Sequence, residues 1–146
     1  LYEWSENSYG VDAKKDDIIT EDNQKKVIRM AKELAVKTKA VIVITGETDL
    51  VTDGETVYFI KNGVPEMARI TGCGCMLDGV IAGFIGANQG NILEATVTAV
   101  SAMGICGEYA RENAKGTGTL KVHLIDAMSN IDETWMERSN QIESRS

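Results

Sequence analysis

A chain of 146 residues, 43% hydrophobic and 25% charged, has the balance of a folded globular domain and is too apolar for a disordered one. With 22 acidic residues against 15 basic it carries a formal charge of −7, so it repels a phosphate backbone and nucleic acid is excluded as a partner. One Pro, 14 Gly and no apolar run near the roughly 18 residues that span a bilayer exclude collagen-like, linker-like and membrane-spanning chains.

Taken in order, Leu1 to Ile19 is polar, has a Gly10-Val11-Asp12 turn and a Lys14 to Asp17 charge run, and reads as loop. It opens Leu1-Tyr2-Glu3-Trp4 without a Met, a basic region or an apolar secretory core, so no targeting signal is legible and a piece upstream is expected to be missing. Thr20 reads as an N-cap with Glu21 and Asp22 in a first turn, and Val27, Met30, Ala31, Leu34 and Ala35 recur at helical spacing. This predicts an amphipathic helix over 21–38. The β-branched run Ala40 to Ile44 follows without polar alternation, the pattern of a strand covered on both faces in a parallel sheet. A helix followed by such a strand predicts an α/β fold.

Asp49 to Thr52 and Glu55 to Lys61 flank Asp53-Gly54, a two-residue hairpin signal, so a small antiparallel excursion is expected on the parallel sheet. Asn62-Gly63 turns the chain into a short segment, Val64 to Ile70. Met76, Leu77, Val80, Ile81 and Phe84 then mark a helix whose other side carries Gly79, Gly83 and Gly86, an invitation to close approach by another element. Asn91 and Glu94 resemble a capping box opening a long, almost wholly apolar helix, expected to be central and buried. After Gly116-Thr117-Gly118, the residues Val122, Ile125, Ala127, Met128 and Ile131 predict a last helix, and Arg138 to Ser146 a polar tail.

The chemistry concentrates in Ile70-Thr71-Gly72-Cys73-Gly74-Cys75, which runs straight into a helix. Two glycines and a helix start can converge backbone N–H groups on an anion, phosphate above all; a Gly-rich helix start is also how many helices simply begin. The pattern GxxxxGK[ST] is absent, and Leu77 stands where a dinucleotide fingerprint has its third Gly. Cys75 lies where a helix dipole favours thiolate chemistry, or it is a small apolar residue beside Met76 and Leu77. Cys73, Cys75 and Cys106 are an odd number, the first two too close for an easy disulfide, and one His with no second Cys pair makes no closed zinc site. A reducing, cytoplasmic setting fits these cysteines. His123, on the last helix with no nucleophile near it, reads as structural.

The segments Val43-Ile44-Thr45-Gly46-Glu47-Thr48-Asp49, Thr52-Asp53-Gly54, Asn62-Gly63 and Ile70 to Leu77, in this order and spacing, resemble the hydroxyethylthiazole kinases of thiamine salvage. The resemblance implies a ribokinase-like fold and ATP-dependent phosphorylation of the hydroxyl of 4-methyl-5-(2-hydroxyethyl)thiazole, with Mg²⁺. It makes Thr45 a nucleotide contact, Gly74 and Cys73 part of the phosphate cradle, Gly72 a substrate contact and Cys75 the catalytic residue. Cys73 stands where that family usually has Thr. Members are about twice as long and trimeric, so residues 1–146 are expected to be the C-terminal half of one kinase domain, completed by a missing N-terminal half. Hydroxymethylpyrimidine and pyridoxal kinases resemble it less, because they usually place Asp where Cys75 stands. A half-domain that only packs against a partner is the non-enzymatic alternative.

Overall fold

The computed structural model describes residues 23–145, so the expectations for the loop and for Thr20, Glu21 and Asp22 fall outside the described residues. The predicted first helix is α1, Gln24–Thr38, which buries Ala31 and Ala35. It stops at Lys39, a left-handed residue at φ 54° whose N–H returns to the Ala35 carbonyl.

Four strands follow: β1 (Ile42–Ile44), β2 (Asp49–Thr52), β3 (Val57–Ile60) and, after all the helices, β4 (Ile142–Arg145). They form one sheet in the order β1-β2-β3-β4, and every pair is antiparallel. This corrects the expectation of a mainly parallel sheet among the described residues. The connections β1–β2 and β2–β3 are each four residues long, and chains that short can only double back. The expectation that both faces of β1 are covered holds only in part: apolar side chains pack on each face, but none of Ile42, Val43 and Ile44 is fully buried. Ile42 and Ile44 pack with Val27, Ile28 and Ala31 of α1, while Val41 and Val43 turn to the helices on the other face. Packing on both faces does not fix strand direction.

The hairpin forms where Asp53-Gly54 predicts it, but with Thr52 opposite Val57 its loop has four residues rather than two. Asp53 accounts for the difference, since its Oδ1 accepts the N–H groups of Glu55 and Thr56, both at 2.9 Å, and shapes a longer turn. Gly54, at φ +102°, supplies the left-handed step, and a side chain there would strike Val36 of α1.

Pro65–Arg69 is a short 3-10 helix. Then come α2 (Cys73–Ala87), α3 (Ile92–Asn113), α4 (Thr117–Asn130) and α5 (Glu133–Ser139). Helix α3 is the spine of the fold, burying Val97, Val100, Met103, Ile105 and Cys106 against the sheet and the other helices. Asn91 precedes it but makes no side-chain cap, so the expected capping box does not form. Helix α4 turns Leu120, Leu124 and Ala127 inward and leaves Val122 and Ile125 about half exposed, so the buried stripe lies on a different face from the one the sequence suggested. The segment read as a polar tail contains the end of α5 and then β4, where Ile142 joins the core, Glu143 pairs with Lys61, and Arg145 lies 5.1 Å over the Phe59 ring. Four residues of mixed polarity become a strand because β3 offers them a free ladder edge.

Candidate functional site

The two segments singled out for chemistry sit at the ends of elements on one face of the sheet. Val41 and Val43 cluster with Leu77 and line an open apolar cleft of about 550 Å³ with Ile81 and Ile85 of α2. Period-two alternation puts Thr45, the residue after β1, in the register of Val41 and Val43. No hydrogen bond joins Thr45 to the 70–75 turn among the described residues.

Gly72 immediately precedes α2 in the left-handed region, at φ +84°, where only Gly is unstrained. That step lets the chain fold back, and the Cys73 N–H closes the turn on the Ile70 carbonyl at 3.1 Å. The Met76 N–H is taken by the Gly72 carbonyl at 2.9 Å. Between them the N–H groups of Gly74 and Cys75 have no side-chain cap, and no atom lies within 4 Å of where a Cβ on Gly72 or Gly74 would stand. The cradle expected from Gly72 to Cys75 is thus narrower than the sequence suggests. Cys73 has already committed its N–H, and the open first-turn donors belong to Gly74 and Cys75 at the positive end of a 15-residue helix.

Cys75 is exposed, Cys73 half-buried and Cys106 fully buried. Burial alone pushes the Cys73 thiol up and pushes Cys106 up to about 11. With a thiol-alkylating reagent at neutral pH, modification by intact mass and peptide mapping is expected at Cys75 first, at Cys73 more slowly and at Cys106 only after unfolding. Equal rates at Cys75 and Cys106 would contradict this arrangement.

The glycine face of α2 does not meet the close approach expected of it, for a Cβ on Gly79, Gly83 or Gly86 would have no atom of another element within 4 Å among the described residues, and no residue of α2 is fully buried. His123 lines a cleft of about 300 Å³ beside Tyr109 and Trp135, whose rings stack at 3.8 Å; none of Thr45, Gly72, Cys73, Gly74 and Cys75 lines it. No group of three or more His, Cys, Asp or Glu side chains able to hold a metal occurs among the described residues.

Asp49 was given no role by the sequence reading. It accepts the Gly46 N–H at 2.9 Å, and burial raises its carboxyl to about 6 against the opposing pull of that hydrogen bond. The signal available was the spacing Gly46-x-x-Asp49 at a strand end, where an Asp side chain habitually closes a turn.

Comparison with known proteins adds a family. A sequence model described as the hydroxyethylthiazole kinase family matches residues 2–134. Hydroxyethylthiazole kinase 1 of Clostridium botulinum (strain Loch Maree / Type A3) is 40% identical over 144 residues, covering 99% of this chain and 53% of that protein. Hydroxyethylthiazole kinase of Clostridium acetobutylicum is 40% identical over 138 residues, 92% of this chain and 50% of its own length. A solved structure of hydroxyethylthiazole kinase protein from Pyrococcus horikoshii OT3 superposes with a TM-score of 0.80 at 27% identity, over 86% of this chain and 49% of that one. The chain spans about half the length of the relatives it matches.

Proposed function

The chain belongs to the hydroxyethylthiazole kinase family, and on that premise we propose that it forms half of a site phosphorylating the hydroxyl of 4-methyl-5-(2-hydroxyethyl)thiazole from ATP in thiamine salvage. The observation that carries the reading is the open pair of N–H donors at Gly74 and Cys75, behind a left-handed Gly72 at the start of α2.

Phosphoryl transfer spreads charge over the equatorial oxygens of a loose transition state, so positioning and electrostatics do most of the catalytic work. Gly74, with Cys73 beside it, faces the phosphates of ATP, and Thr45 contacts the nucleotide. Gly72 has no side chain and lets the thiazole approach the backbone. Cys75 orients the substrate hydroxyl and accepts its proton as the oxygen bonds to the γ-phosphorus and the bond to ADP breaks. Mg²⁺, held by the nucleotide, supplies charge neutralisation. An acidic protein needs local positive potential for this, and the helix end supplies it, with Arg69 the basic residue beside the motif in sequence. A ribokinase-like fold, a cytoplasmic location and a trimeric assembly belong to the same reading.

The open cleft bordered by Val41, Val43, Ile81, Ile85 and Ile92 favours a second reading, a half-domain that only packs against a partner. One titration separates the two. Adding ADP with Mg²⁺ to the ¹⁵N-labelled chain is expected to move the Gly74 and Cys75 amides before any others, and unmoved amides would remove the phosphate site. Thiazole phosphorylation by residues 1–146 alone is expected to be weak; robust turnover would overturn the half-site reading.

A further inference from the structure

Thr45 can serve a nucleotide only if the turn behind it is fixed, and the residue that fixes it is Asp49. Asp49 opens β2, and its Oδ1 holds the N–H of Gly46, the residue next to Thr45, at 2.9 Å. The bond spans the whole 45–48 connection, which otherwise is an exposed turn leading away from β1. No ion pair reaches the Asp49 carboxylate among the described residues. Glu47 in the same turn is exposed; across the sheet Asp49 faces Ile60, and Lys61 beyond it is engaged by Glu143 of β4. No charged group of α1, α3, β1 or β3 among the described residues contributes to its titration, which burial and the Gly46 N–H govern.

We infer that Asp49 is a positioning residue whose carboxylate latches the Gly46 N–H and thereby holds Thr45 in place, and that protonation loosens the latch. The inference rests on the nucleotide role proposed for Thr45. A charged acceptor binds an N–H more strongly than a neutral one, so the turn is tightest when Asp49 is ionised. Burial opposes that state and sets its midpoint at about 6. The sign for stability is the reverse of the usual carboxylate case. With the folded value above the unfolded one, the native chain binds the extra proton, so Asp49's contribution weakens the fold as pH rises from about 4 to about 6. The chain thus keeps, at neutral pH, a partly buried charge that destabilises it, and the Gly46 N–H is the polar group that charge holds.

Amide NMR on the full chain tests this without turnover. The Gly46 resonance is expected to shift with a midpoint near pH 6 in the native sequence and to stay flat in Asp49→Asn, whose amide oxygen still accepts the bond. Asp49→Ala should speed Gly46 amide exchange by about 10-fold or more, while Tyr58 and Phe59 in the centre of the sheet stay protected. In ADP-Mg²⁺ titrations Asp49→Ala should weaken affinity about 10-fold, and Asp49→Asn, a neutral acceptor like protonated Asp49, should recover only part of it. Unchanged Gly46 exchange in Asp49→Ala, a pH midpoint that survives in Asp49→Asn, or native ADP affinity despite a loosened turn would each overturn the inference. If the native chain binds no nucleotide, the reading of Thr45 falls, and the Gly46 measurements alone decide whether the latch exists.

Discussion

Replacing Gly104 with Val is expected to destabilise the fold by about 2–6 kcal/mol, a large share of its total stability. Gly104 lies in the buried centre of α3, and a Cβ there would stand 2.7 Å from the carbonyl carbon, carbonyl oxygen and Cβ of Asn62. Two of these atoms are backbone, and Asn62 is held from four sides. Its Oδ1 accepts Ser101 Oγ at 3.2 Å and the Gln141 N–H at 3.0 Å, and its Nδ2 donates to the Ser139 carbonyl at 2.7 Å and to Glu108 at 3.2 Å. Glu108 also takes the N–H of Gly63, itself at φ +124°, at 2.8 Å. Relief of the clash would have to break this knot, which ties the end of β3 to α3 and to the strand that closes the sheet. Overpacking a core typically costs about 1–3 kcal/mol, and stranding buried polar groups adds about 1–3 kcal/mol more, against a total stability of about 5–15 kcal/mol. Urea unfolding reads the result directly. Gly107→Ala should cost far less, because its new Cβ would meet the flexible end of Met67, and Gly79→Ala on the open face of α2 should be neutral or stabilising by up to about 1 kcal/mol. Gly104→Ala with native stability would refute this account of the knot.

Cys75→Ala, made in the whole kinase to which this half-length chain corresponds, is expected to lower kcat by about 10²- to 10⁴-fold with nucleotide affinity almost unchanged. The two effects separate because the side chain and the backbone at this position do different jobs. The exposed Sγ is the group available to a substrate hydroxyl, whereas the N–H groups of Gly74 and Cys75 survive any substitution that keeps the helix start. Cys75→Asp should retain substantial activity, since a carboxylate can orient the hydroxyl and take its proton. Cys73→Thr should be close to neutral, because the Cys73 N–H, whatever its side chain, closes the turn on Ile70. A kcat that survives Cys75→Ala together with weakened ATP binding would make the thiol structural and withdraw its catalytic role.

Several features of the fold were legible because they depend on neighbours in sequence. Helical spacing of Val27, Ala31 and Ala35 defined α1, and the apolar density from Ile92 onward marked α3 as the buried spine. Gly72-Cys73-Gly74-Cys75 announced a tight helix start because Gly takes a positive φ without strain, as it does at Gly72. With Val43 to Asp49, Thr52-Asp53-Gly54 and Asn62-Gly63, in that order and spacing, Ile70 to Leu77 carried the resemblance to the family whose model matches residues 2–134.

Relations across the chain were decided only by tertiary structure. The run Ala40 to Ile44 showed that apolar side chains pack on both faces of β1, but partners for its backbone depend on loop length and on which strands lie nearby, and the result is antiparallel. Ile142–Arg145 has too little apolar alternation to declare a strand, and it becomes one only because β3 presents an unpaired edge. Asn62-Gly63 was visible as a turn, but its buried hydrogen bonds reach Ser101, Glu108, Ser139 and Gln141, residues between 39 and 79 positions away. In the site, sequence sufficed to find the helix start and Cys75. Which N–H groups stay open, and that a partly buried Asp49 grips Gly46 in an exposed turn, follow from backbone dihedrals and burial, which no residue type determines by itself.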